Sequence, residues 1–95
     1  MAVRIIIDRK VKKGREAAFA ELLRELRSNA IVLKGYISGE TLRAADDPQN
    51  FIVISTWQNL DDWKTWEKDP KRKKTQAKIE KMMVRPTKTK VYVYA

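Results

Sequence analysis

The sequence predicts an α+β fold in which helices cover one face of a four-stranded antiparallel sheet. Three observations carry this. Four runs rich in β-branched and aromatic residues, Val3–Asp8, Tyr36–Ala45, Phe51–Gln58 and Lys88–Tyr94, are spaced along the 95 residues. The two middle runs are joined by turn residues alone, so they return on each other as a hairpin. The remaining connections carry helical periodicity.

Taken in order, Val3–Asp8 (VRIIID) is the first strand, broken by Lys12-Lys13-Gly14. From Arg15 the apolar residues Ala18, Phe19, Leu22, Leu23 and Leu26 form one helical stripe, opposite a solvated face of Arg15, Glu16, Glu21, Arg24, Glu25 and Arg27. Asn29 is expected to end this helix in the left-handed conformation. Ala30–Leu33 is then an apolar connector, and Gly35 opens the second strand. The turn is expected over Asp46-Asp47-Pro48-Gln49-Asn50, with the third strand starting at Phe51. Asn59 suits an N-cap with Asp62 at the third helical position, which starts a short helix over Leu60–Lys68. Asp69-Pro70 restarts the chain as a further helix running to about Met83, with Asp69 as its cap and Pro70 first in the helix. Arg85-Pro86 stops it, and the last strand follows. The order β-α-β-β-α-α-β is that of ferredoxin-like folds. One domain over residues 1–95 is expected from the length.

Three strands, at Ile5-Ile6-Ile7, Phe51-Ile52-Val53-Ile54 and Val91-Tyr92-Val93-Tyr94, are apolar on both faces. A sheet with one solvated face alternates instead. Helices from one chain cover only one face, so a second copy is the expected cover of the other, giving a homodimer.

Composition narrows the chemistry. There is no cysteine, which excludes disulfides and thiolate chemistry, and no histidine, which excludes His-based triads and histidine-ligated haem or zinc. A general base must be a shifted carboxylate or lysine, or come from the substrate. Nothing at the N-terminus reads as a signal peptide, and no apolar run approaches the roughly 20 residues of a membrane span, so a cytoplasmic protein without membrane contact is expected.

All three tryptophans fall in FIVISTWQNLDDWKTW, Phe51–Trp66. A strand ends in Trp57, a capped turn follows, and Trp63 and Trp66 project from one face of a short helix. With Lys13-Gly14 after strand one and Leu33-Lys34-Gly35-Tyr36 before strand two, this segment resembles the antibiotic biosynthesis monooxygenase (ABM) family over nearly the whole chain. The resemblance implies a dimeric α+β barrel, with the helix tryptophan, Trp66, on the wall of a buried pocket between sheet and helices. It implies cofactor-independent oxidation of a phenolic, quinol or polycyclic aromatic small molecule, with Trp66 and Asp62 as the candidate catalytic residues. Asp62 stands where some of these enzymes place an asparagine, and its plainer role is helix capping. Ile7, Phe19, Trp63, Gln76 and Arg43 are the further candidate pocket residues, and Arg43 and Arg9 are candidates for positive charge near it. The haem-degrading branch resembles the chain in layout but places an asparagine where Ile7 stands and a haem-ligating histidine at or near Gln76. Haem degradation by that route, and any cofactor, are therefore not expected.

Lys68–Lys81 holds seven basic residues against Asp69 and Glu80, out of a formal net charge of +9. A phosphate-tracking surface has this look. A solvated helix face, with Ile79 and Met83 alone turned inward, explains it more simply. No aromatic is interleaved to stack a base, and the third strand lacks the glycine of an RNA-recognition motif. A nucleic-acid partner is not expected; the other alternative is a non-catalytic ligand-binding or structural dimer module.

Overall fold

A computed structural model describes residues 1–95. Its elements are β1 (Val3–Lys10), α1 (Glu16–Ala30), β2 (Tyr36–Ala44), β3 (Asp47–Trp57), α2 (Leu60–Glu67), α3 (Pro70–Glu80) and β4 (Lys88–Val93). The strands form one antiparallel sheet in the order β2-β3-β1-β4, the ferredoxin-like arrangement. The two most apolar strands, β1 and β3, take the centre, where both edges are hydrogen-bonded. Ile5 pairs with Ser55 and Val91, and Ile7 with Val53 and Thr89.

Side chains alternate along a strand, and this sets the two faces of the sheet. Val3, Ile5, Ile7 and Arg9 of β1 are buried on the helix side. Phe51, Val53, Ser55 and Trp57 of β3 pair with them and share that face. Phe19, Leu26 and Ala30 of α1, Trp63 and Trp66 of α2 and Ile79 of α3 close over it. The opposite face presents Ile6, Ile52 and Ile54, all half-buried, with Leu42 and Tyr92 exposed beside them. No helix of the chain lies over these residues, and no helix is long and apolar enough to cross a membrane.

The hairpin differs from expectation. Its turn is only Ala45-Asp46, and β3 starts at Asp47. The residues expected to turn instead form a bulge, because Ala44 pairs with Asp47 while Arg43 already pairs with Phe51. Pro48, which has no N–H to donate, falls in this gap in the ladder. Gln49 and Asn50 bond towards β1: Val11 N–H donates to Gln49 O at 2.8 Å, and the Asn50 amide donates to Asp8 Oδ1 at 2.8 Å. The Asp47 carboxyl accepts from Gln49 N–H at 3.1 Å and lies 3.2 Å from Lys10 Nζ, and these partners hold its pKa below the usual carboxylate value.

Two helix ends also differ. Asn29 stays helical, and α1 runs through Ala30 to a right-handed cap at Ile31, whose N–H donates to Arg27 O. The left-handed bend is taken by Gly35, at φ 88°, after a turn that Leu33 N–H closes on Ala30 O. α3 stops at Glu80, short of Met83, because Met83 bridges to Val11 and Val84 N–H donates to Lys10 O. The segment extends the pairing of β1 in place of a last helical turn. Both predicted caps form: Asn59 Oδ1 accepts from Asp62 N–H at 2.8 Å, and Asp69 Oδ1 from Lys71 N–H at 2.8 Å.

Gly14 and Gly35 both have positive φ but differ in surroundings. A Cβ at Gly14 meets open space, whereas at Gly35 it would overlap the Asp62 side chain, 2.6 Å from Asp62 Cβ. Gly14→Ala should therefore cost only the left-handed strain, about 1 kcal/mol. Gly35→Ala adds the overlap and should cost about 3 kcal/mol or more. Urea midpoints of the two variants check the order.

Candidate functional site

Between the sheet and α1 lies a cavity of about 290 Å³, at the lower end of the roughly 300–1,000 Å³ typical of small-molecule sites. Its floor is the helix-side face of the sheet, with Ile7 and Arg9 from β1 and Val53, Ser55 and Trp57 from β3. Phe19, Leu23, Leu26 and Ala30 of α1 form one wall, and Trp63 and Trp66 of α2 another. Tyr36 and Gly39–Thr41 of β2 complete it. The exposed residues of this lining, Arg24, Arg27, Glu40 and Thr41, come from α1 and β2, so the cavity opens between those elements.

The aromatic walls are held by edge contacts. Trp57 packs edge-on against Tyr36, with centroids 5.4 Å apart, and against Trp63 at 6.1 Å. Phe19 tilts onto Phe51 at 5.0 Å. Such pairs favour tilted geometries because ring edges are positive and faces negative. The Trp57 indole N–H donates to Ser55 Oγ at 3.3 Å, so the only polar atom of this 1% exposed ring is partnered. The cap at Asn59 fixes where α2 begins, and thereby where Trp63 and Trp66, 2% and 5% exposed, meet the cavity.

Charge enters at one end. Arg9 is 1% exposed and donates from Nη2 to Gln76 Oε1 at 2.6 Å, while its Nε is buried without a protein acceptor. The Gln76 amide in turn donates to Glu80 Oε1 at 2.8 Å and Thr87 Oγ1 at 3.1 Å, which fixes its oxygen towards Arg9. Burial, and next the positive charge of Arg72, lower the Arg9 pKa to about 10, with Glu80 opposing. A depression of that size means the charged form costs on the order of 3 kcal/mol in the folded chain. Arg72 is 8% exposed and lies over the Trp63 ring, 5.2 Å from its centroid, a cation–π contact. Burial lowers its pKa too, with Glu67 partly opposing.

The candidates from sequence are thus partly gathered. Ile7, Phe19, Trp63 and Trp66 all line the cavity. Gln76 does not line it but positions Arg9, which does. Arg43 is exposed on β2 beyond the cavity. Asp62 lies against Gly35 in a separate cleft with Leu33, Lys34, Thr65, Asp69 and Trp66, and its buried Oδ2 has no protein partner. Trp66 alone borders both spaces. Sequence reasoning missed Arg72, which the expected solvated face of α3 included. Lys71, Lys73, Lys74 and Lys78 are exposed as expected, but the inward side of α3 is Arg72, Thr75 and Ile79. Their spacing of three and four was the available signal. Arg9, a candidate from sequence for charge near the pocket, is carried there by the alternation of Val3, Ile5 and Ile7.

Chemically, the cavity offers aromatic and aliphatic walls together with the guanidinium groups of Arg9 and Arg72. Its only lining carboxylate, Glu40, is exposed on β2, so no interior side chain serves as a proton acceptor.

Solved structures share this architecture. A protein from Nitrosomonas europaea assigned as an antibiotic biosynthesis monooxygenase is 22% identical, with a TM-score of 0.91 over 98% of this chain and 89% of its own. A conserved protein from Methanosarcina mazei Go1 is 15% identical, with a TM-score of 0.95 over 100% and 94%. SnoaB, a cofactor-independent oxygenase from Streptomyces nogalater, is 14% identical, with a TM-score of 0.89 over 99% and 93%. At these identities the likeness concerns the fold. Among curated proteins no sequence matches. The family model for antibiotic biosynthesis monooxygenases matches residues 2–78, most of the chain including β1, the Trp57–Trp66 segment and Arg72, and the chain therefore belongs to that family.

Proposed function

We propose that this protein is a cofactor-independent monooxygenase-like enzyme that takes a phenolic, quinol or polycyclic aromatic small molecule into the cavity between sheet and helices. The observation that carries the reading is the cavity itself, walled by Phe19, Tyr36, Trp57, Trp63 and Trp66 and charged only by guanidinium groups in its interior. Support also comes from membership of the family and from the fold shared with the oxygenase SnoaB. The chain carries no histidine or cysteine, so the usual haem and thiolate ligands are lacking from its chemistry. Trp66 acts as a wall that sets the plane of the ring. Asp62 acts through the start of α2 and not as a proton acceptor, since its carboxyl lies in the other cleft.

The working form in this reading is a homodimer, with two copies packed through their open sheet faces. Ile6 and Ile54 face each other across the β1–β3 ladder there, and burying them against a second copy stabilises by roughly 25 cal/mol per Å² of apolar surface. A second reading, a non-catalytic small-ligand module, is favoured by one observation, the lack of an interior proton acceptor.

Oxygen consumption with a panel of hydroquinones and anthrones separates the two. At least one compound should be turned over, and Trp66→Phe should lower that rate about tenfold or more, because a shifted ring loses its reactive orientation. Inactivity across the panel with binding retained would favour the ligand module. For the assembly, sedimentation at micromolar concentration should give twice the 11.1 kDa chain mass. Ile54→Asp should shift it to the monomer mass; a folded wild-type monomer would contradict the dimer.

A further inference from the structure

The buried cations of the cavity are unmatched within it. Arg9 and Arg72 are both buried in its lining and close enough for the charge of one to lower the pKa of the other. The protein supplies Arg9 with one neutral acceptor, Gln76 Oε1, and leaves its buried Nε without one. Arg72 rests on the face of Trp63 and has no hydrogen-bonded or ion-paired carboxylate. The nearest acidic groups, Glu80 and Glu67, act on these arginines only through space. The three ion pairs of the chain, Arg85 with Asp8 at 3.1 Å, Lys10 with Asp47 at 3.2 Å and Arg24 with Glu21, all lie at the surface and none reaches the buried arginines. Buried charge is retained against its desolvation cost where something else compensates it. Here the compensating charge would sit in the cavity, where Nε and the free Nη atoms of a guanidinium match the two oxygens of a carboxylate or the single oxygen of a phenolate.

We propose that Arg9 and Arg72 form an anion subsite, and that the aromatic ligand is held with an ionised oxygen, phenolate or carboxylate, against the two guanidiniums. Gln76 is a positioning residue, since its amide, anchored by Glu80 and Thr87, keeps Arg9 turned towards the ligand. The inference rests on the cavity being a site for small aromatics, but not on any turnover there.

Isothermal titration with 1-naphthoate and its neutral counterpart 1-naphthamide tests it without requiring catalysis. The wild type should bind naphthoate about tenfold or more tightly than naphthamide, the scale of one charge-assisted hydrogen bond. Arg72→Met and Arg9→Met should each remove that preference while keeping naphthamide binding, and Arg72→Lys should keep part of it. Arg9→Met should also melt no lower than the wild type at pH 7. The folded pKa of Arg9, about 10, lies below the ordinary 12.5, so its charge opposes folding fully below about pH 10 and progressively less above it. A guanidinium with a purely structural role would instead lower the melting temperature on removal and leave the preference intact. A spectral titration of 2-naphthol distinguishes the sources of charge. A bound pKa lowered by about one unit or more identifies a phenolate, and a preference confined to naphthoate identifies a carboxylate. Equal binding of naphthoate and naphthamide would overturn the anion subsite and leave the aromatic site standing. Hydroquinone turnover without any naphthoate preference would do the same.

Discussion

The alternation of side chains along β1 is the constraint from which the site follows. Val3, Ile5 and Ile7 face the helices because they must be buried, and the period of two then carries Arg9 to the same side. A one-residue slip would expose three aliphatic side chains to rescue one guanidinium, so the charge stays inside. Gln76 and the Glu80–Thr87 pair behind it are the response of α3 and the chain beyond it to that buried donor. A second arginine, Arg72, joins the first from α3, one turn before Gln76, and burying two like charges on one cavity opposes stability. The fold retains both by giving Arg72 the face of Trp63 and Arg9 a single amide.

Rigid aromatic packing keeps the cavity from collapsing around these charges. Trp57 ends β3 between Tyr36 and Trp63, and each contact is edge-on, so none of the rings can flatten into the space beside it. The short Gln58-Asn59 connection then leaves α2 little freedom, because Asn59 caps its first turn and Gln58 N–H donates to Gly35 O at 2.7 Å. Gly35 is thus a junction between the entry to β2 and the start of α2, tight enough that only glycine fits. The two apolar faces of the sheet have different roles: one builds the cavity, and the other remains open at Ile6, Ile52 and Ile54.

Much of the fold was legible in the sequence. β-branched runs located four strands, and helical stripes located the layer above them. The caps at Asn59 and Asp69 were readable because side-chain oxygen at an N-cap has one dominant use. The errors lay where tertiary pairing overrode local chemistry. Pro48, Gln49 and Asn50 have turn residues' preferences, yet bonding to Asp8 and Val11 draws them into β3 as a bulge. Met83 has helical preferences but is captured by Val11. Within the site, the large aromatics were legible as candidates because their size commits them to the interior. Arg72 was harder to see: its spacing with Thr75 and Ile79 marks an inward side, but a basic residue among lysines reads as solvated. Asp62 lies in α2 as expected, but the chain passes so close at Gly35, just before β2, that its carboxyl lies in the second cleft.

If the two buried guanidiniums of the cavity bind an anionic oxygen, the Nε–H group of Arg9 reports on it directly. Its ¹H–¹⁵N resonance should be resolved from those of the exposed arginines, because the group is buried and without a protein acceptor. On saturating the protein with 1-naphthoate, that resonance should move downfield and gain protection from solvent exchange as Nε–H donates to the carboxylate, while the exposed Arg43 signal stays in place. An Arg9 Nε–H resonance that does not shift while naphthoate is bound in the cavity would rule out an anion subsite at Arg9.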